Sequence, residues 1–140
     1  MRYFEFYWPD FNVAVPVRLQ DDKFPDECEA FWKGLPYKTV FCASMSAGEM
    51  FKIPFSKPIP PTPPEKTVFY PEQPIGTMIY LSWVGSMLLK YGTVAEPFRG
   101  PVIGLVDKEH IPTLLQVSMK LRDAYFFTKE VNLAEIRRKA

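Results

Sequence analysis

Residues 57–66 read KPIPPTPPEK, with five prolines in ten positions. Either this stretch is a hinge between two domains or it is a loop inside one. Strand-like sequence stands on both sides. EMFKIPF (49–55) precedes it, and TVFY (67–70) and TMIYLSW (77–83) follow. Cutting the chain here would leave two pieces of roughly 60–75 residues, each with marginal capacity to bury a core. We therefore expect a single domain over residues 1–140, with a proline-rich internal loop at 54–66 that runs extended, as polyproline II. Lys57, Pro60 and Pro63 have the spacing of a basic residue followed by P-x-x-P, which adaptor domains read. The plainer role of such prolines is to lower the loop's unfolded-state entropy.

Outward from that loop the sequence is mostly strand. Arg2–Tyr7 is aromatic-rich, and PDFN supplies a turn. Val13, Val15, Val17 and Leu19 then alternate with Ala14, Pro16, Arg18 and Gln20. A period of two marks a half-buried strand, and Pro16, which cannot donate to a ladder, places that strand at an edge or at a bulge. KTVFCA (38–43), MLLKYG (87–92), PVIGLV (101–106) and AYFFTKEV (124–131) are further strand candidates. Two helices interrupt them. In residues 21–36, Pro25 suits the first helical position, acidic residues follow it, and Cys28, Phe31, Trp32 and Leu35 recur at helical spacing. In residues 108–123, Pro112 opens a helix with Ile111, Leu114, Leu115 and Leu121 on its apolar side. Asn132 and Glu135 resemble a capping box for a short terminal helix. The sum is a mainly β protein: an antiparallel sheet, closed or nearly so, with helices at its ends.

Composition excludes several functions. With 17 basic and 16 acidic residues the net charge is +1, which gives no electrostatic drive toward nucleic acid or an anionic membrane. The same near-neutrality offers little resistance to self-association, and the aromatics Tyr3, Tyr7 and Trp8 suggest an exposed patch, so we expect a homo-oligomer or a larger partner subunit. The N-terminal MRYFEFYWPDF lacks the apolar run of a signal peptide, and the longest apolar run, about a dozen residues to Leu89, is too short to span a membrane. A soluble cytoplasmic protein is expected. Cys28 and Cys42 read as small buried hydrophobes, and His110 stands alone, so no metal site is expected. Phosphate-loop, dinucleotide and nucleophile-elbow motifs are missing, and no cofactor is expected.

The block DDKFPDECEAFWKGLPYKTVFCASMSAGEMFKIP (21–54) resembles the acidic-x-x-x-Pro, Phe-Trp-x-x-Leu-Pro, strand, Gly-Glu order of small prokaryotic cyclophilin-like proteins of unknown function. YPEQPIGTMIYLSWVGSMLLKYG (70–92) is similar to their Tyr-Pro, Gly, Tyr segment with a strand ending in Tyr-Gly. The resemblance implies a closed barrel of about eight strands capped by two helices. It does not imply prolyl isomerase activity. Where such proteins carry an arginine, Met45 and Ser46 stand here, and methionine cannot donate a hydrogen bond to a prolyl amide. The proline loop then replaces a groove-forming segment. The expected function is a non-isomerase binding module, for a small molecule or within an assembly. Met45, Ser46, Glu49, Phe51, Tyr80 and Tyr91 are the candidate ligand-binding residues. The alternative is an enzyme: a weak isomerase, or a hydrolase using Glu49.

Overall fold

The computed structural model describes residues 1–140. Its first two strands, β1 (Tyr3–Trp8) and β2 (Val13–Leu19), form an antiparallel hairpin, and α1 (Pro25–Lys33) follows. Then come β3 (Tyr37–Thr39), β4 (Cys42–Ala43), β5 (Gly48–Pro54), β6 (Val68–Phe69), β7 (Thr77–Leu81) and β8 (Ser86–Val94). The chain ends with β9 (Arg99–Gly100), β10 (Val102–Leu105), α2 (Ile111–Asp123) and β11 (Ala134–Arg138). Nine strands make one antiparallel sheet in the order β3-β11-β1-β2-β10-β7-β8-β5-β4, while β6 and β9 form a separate two-stranded ribbon.

The expected closed eight-stranded barrel is corrected on both counts. The sheet has nine strands, and no ladder joins its edges, β3 and β4. Those edges are nonetheless consecutive in sequence. The KTVFCA run changes partner at Val40–Phe41, from β11 on one side to β5 on the other. The sheet therefore curls until its edges are two residues apart along the chain. Thr39 Oγ1 also reaches the Pro54 carbonyl at 3.2 Å, linking β3 to β5.

Alternation fills the inside. Phe4, Phe6 and Trp8 from β1, Val15, Val17 and Leu19 from β2, and Phe51 and Ile53 from β5 point into one core with Met87, Leu89, Ile103 and Ile136. Phe31 of α1 and Leu114, Val117 and Leu121 of α2 join the same core. The rings meet edge to face, Phe6 against Phe41 at 5.1 Å and Trp8 against Phe41 at 5.0 Å, a geometry that aligns the positive edge of one ring with the negative face of another. A smaller core lies on the opposite face of β5, β7 and β8, where Met50, Ile79, Leu81 and Leu88 pack under Tyr70. Burial on both faces is why β7 reads as an unbroken apolar run rather than an alternation.

Pro16 lies in an internal strand, not at an edge. Leu19 donates its N–H to Arg2 at 3.0 Å, so by alternation Pro16 turns its missing donor away from β1. On that side β10 pairs with β2 only at Arg18 and Leu19. The strand is internal, but Pro16 has no ladder partner to disappoint. Two C-terminal expectations are reversed. AYFFTKEV is not a strand: Ala124–Thr128 continues α2 as a π-helical turn, which ends at Lys129 with φ 62°. Residues 134–138 are a strand rather than a helix, with Ala134 and Ile136 buried between β1 and β3. Trp8, expected in an exposed patch, is wholly buried, and Tyr3 and Tyr7 are half-buried.

The proline loop connects β5 to elements of the same sheet, since β5 and β8 are ladder neighbours. Ile59 packs against the main core. Thr62 hydrogen-bonds Glu27, a buried carboxylate on α1.

Candidate functional site

Five of the six candidate residues gather at one end of the sheet, where β4, β5 and β8 meet the last turn of α2. Phe51 and Tyr91 are buried and stacked, 4.5 Å between centroids. Burial raises the Tyr91 phenol above its ordinary range, and nearby Glu49 and Asp123 act the same way while Arg122 opposes them. Glu49 is exposed and its Oε1 accepts the Thr93 N–H at 3.0 Å. That bond spans the irregularity between Gly48 and Met50 in the β5–β8 ladder. The carboxylate lies so close over Gly92 that a Cβ there would run into it. Glu49 is thus engaged in holding its own sheet.

Met45 and Ser46 occupy the tip of the adjoining turn. Ser44 Oγ accepts the Ala47 N–H at 3.1 Å, and the Ala47 carbonyl accepts from Ala95 at 2.8 Å. Gly48 leaves the turn at φ 124°, and a Cβ on it would collide with the Thr93 carbonyl, so glycine is required there. Met45 is 87% exposed. Tyr80 belongs elsewhere. It lies half-buried beneath the proline loop, near Pro60, Pro61, Trp83 and Arg99. The six residues therefore do not make one site.

The curled interior is packed by the side chains of the main core. Three features were not anticipated from sequence. The first is a groove of about 610 Å³ beside Arg2, Tyr3, Trp32, Asp107, His110 and Lys139. Within it Tyr3 donates to Asp107 Oδ2 at 3.0 Å, and Arg18 reaches Asp107 Oδ1 at 3.1 Å. The Tyr3 phenol is raised by its hydrogen bond to Asp107. The Arg2 and Arg138 guanidiniums lie 4.8 Å and 5.2 Å from the Trp32 ring centre, within cation–π range. His110 is half-exposed beside Glu109.

The second feature is an apolar rim. Tyr125, Phe127, Val131 and Leu133 are 42%, 74%, 71% and 53% exposed. Tyr125 and Phe127 lie in the π turn and Val131 and Leu133 follow it; Tyr125 and Val131 line a small recess with Phe41, Cys42 and Leu121. Within nine residues the chain leaves four large apolar side chains in water, although neighbouring Phe41 and Leu121 are buried. The strand reading of AYFFTKEV concealed this, because a strand would have hidden alternate members.

The third feature is Lys90, which is buried in the smaller core. Its Nζ donates to the Pro71 and Gln73 carbonyls at 2.8 and 2.7 Å, and desolvation lowers its pKa. It ties the segment over that core to β8. Burial pushes the Cys28 thiol up to about 12 and raises the Cys42 thiol also. No three His, Cys, Asp or Glu side chains are arranged to hold a metal ion. No helix is long and apolar enough to cross a membrane.

No known family model matches this sequence, and no curated protein does. Solved structures do share the fold. McbB, determined in complex with tryptophan, superposes with a TM-score of 0.84 at 24% identity over 98% of this chain. That match covers 45% of McbB, so the chain spans less than half of McbB's length. The solution structure of the hypothetical protein AF2241 from Archaeoglobus fulgidus matches with a TM-score of 0.62 at 11% identity, over 99% of this chain and 95% of that one. At these identities the likeness establishes a shared β-rich fold.

Proposed function

We propose that the protein is a binding module without isomerase chemistry, and that it works through its outer surface by self-assembly at the apolar rim. One observation carries this reading: Tyr125, Phe127, Val131 and Leu133 are all exposed within nine residues of chain, and Tyr125 and Val131 share one recess; clustered exposed apolar side chains mark interaction surfaces. A second copy is the occupant the rim itself suits. Lys129 and Glu130 adjoin the apolar residues, so a twofold pairing can set opposite charges against each other. The net charge of +1 leaves little long-range repulsion between copies. Kinship with small cyclophilin-like proteins is supported by the order of sequence blocks and by a curled antiparallel sheet with two helices. Met45 in place of arginine supports the lack of isomerase activity. The test is light scattering across a concentration series. The wild-type mass should rise toward a dimer, and Phe127→Asp should stay monomeric. A wild type that remains monomeric at high concentration sinks the proposal.

A second reading is favoured by the groove at Trp32. McbB was solved with tryptophan, and here an indole, a phenol, carboxylates and cationic side chains surround a cavity of about 610 Å³. Those groups suit a zwitterionic aromatic amino acid. Calorimetry with tryptophan should then give saturable heat that Trp32→Ala removes. Absence of heat from the wild type discards this reading. The enzyme alternative through Glu49 draws less support, since that carboxylate already accepts the Thr93 N–H.

A further inference from the structure

We infer that the proline loop is a pre-formed ligand for a polyproline-reading domain, with Pro60–Pro61 and Pro63–Pro64 as its two docking pairs and Lys66 as its charged anchor. A polyproline II helix repeats every three residues and so has three ridges. In this loop one ridge faces the protein: Ile59 packs on the core, and Thr62, three residues on, is tied to the buried Glu27. Pro60, Pro61 and Pro63 are exposed on the other two ridges, and Pro64, also exposed, is the residue at which the run passes into a 3-10 turn. Pro63 has φ −54° and ψ 137°, within the polyproline II region. Domains that read such helices grip two ridges in aromatic-lined slots and leave the third free. Here the ridge that a reader would ignore is the one used to fasten the loop.

Charge completes the match. At Pro64 the polyproline II run ends and the chain enters a short 3-10 segment, Pro64–Lys66, with the Lys66 N–H donating to the Pro63 carbonyl at 2.9 Å. Lys66 is exposed two residues beyond the second proline pair, where an acidic pocket at the end of an aromatic groove can take it. Lys57 extends the positive character at the other end, and Glu65 is the single acidic residue between them. The partner is therefore a domain with an aromatic, x-Pro-binding groove flanked by carboxylates, of the SH3 kind. Fastening the loop in its bound shape lowers the ordering cost of association.

The test uses the whole protein, isotopically labelled, titrated with an SH3 domain that accepts x-Pro-x-x-Pro ligands followed by a basic residue. Saturable shifts should appear at the amides of Lys57, Ile59, Thr62, Glu65 and Lys66. Pro61→Ala with Pro64→Ala should weaken binding at least tenfold, and so should Lys66→Glu. Phe127→Asp should leave it unchanged, which keeps this inference separate from rim assembly. Circular dichroism melting of each variant confirms that the fold survives. No shift up to about 1 mM probe, the weak limit of transient recognition, overturns the proposal. Shifts that map elsewhere, or binding indifferent to the proline changes in folded variants, overturn it as well.

Discussion

Phe51 with Tyr91 and Phe127 with Tyr125 are the same pair of residue types in opposite circumstances. The first pair is stacked at 4.5 Å and buried. The second lies on the rim, with Phe127 at 74% exposure. Composition alone gives the two pairs equal weight. Their surroundings give them different work: interior rings hold the curled sheet together, while rim rings are free to meet another molecule. An aromatic-rich chain thus buries most of its rings wholly or partly and leaves a few in water, a difference that composition does not show.

The comparison breaks if the interior is not what carries stability. Phe51→Ala should cost about 3–5 kcal/mol in denaturant unfolding, the range for an aromatic removed from a packed core. A loss below about 1 kcal/mol would mean that this region is loosely packed. Alkali probes the same interior. The Cys28 thiol ionises near its ordinary 9.0 in the unfolded chain and near about 12 in the fold, because burial disfavours the thiolate. Between those values the unfolded state has shed a proton that the folded state keeps, so stability falls as pH rises through that window, by up to about 1.4 kcal/mol per pH unit. Tyr37, Tyr70 and Tyr91, all raised by burial, push in the same direction, and Lys90 opposes them. Chemical unfolding from pH 8 to pH 11 should show this decline, and Cys28→Ala should flatten it. A slope unchanged in that variant would remove Cys28 from the explanation.

Glu49 lies between the two regimes, exposed yet bonded. Glu49→Gln keeps an acceptor for Thr93 and loses the charge, so the expected cost is about 0.5–1 kcal/mol in thermal or chemical unfolding. A cost above about 2 kcal/mol would assign it a larger structural share than one exposed bond supports. The smallest stability effect belongs to the rim. Phe127→Ser should shift unfolding by no more than about 0.5 kcal/mol, while self-association weakens. A large loss of stability would show that Phe127 packs within its own chain.

Legibility in the sequence followed the same division. The alternation from Val13 to Gln20 marked β2 to within one residue, because a half-buried strand needs that period. Pro25, the acidic first turn and the spacing of Cys28 and Phe31 marked α1. Pro16 suggested an edge, and the structure supplies a local one inside an internal strand, which sequence cannot distinguish from a real edge. The C-terminus misled for a physical reason. Ala134, Glu135 and the arginines that follow favour helix intrinsically, yet pairing of Ile136 with Phe6 and Tyr37 overrides propensity. AYFFTKEV has strand composition but no strand to pair with, and it continues α2 instead. Of the candidate residues, Phe51 and Tyr91 shared a core, Glu49 held a bulge, and Tyr80 lay under the proline loop. Their separation along the sequence carried no sign of that.

The most direct test of the proposal that the protein self-associates through its rim is a dilution series of amide correlation spectra on the isotopically labelled wild type. Concentration-dependent shifts should cluster at residues 124–133, and the interior signals of Phe51 and Tyr91 should not move. Spectra that are identical at every concentration, or shifts centred away from the rim, would contradict the account.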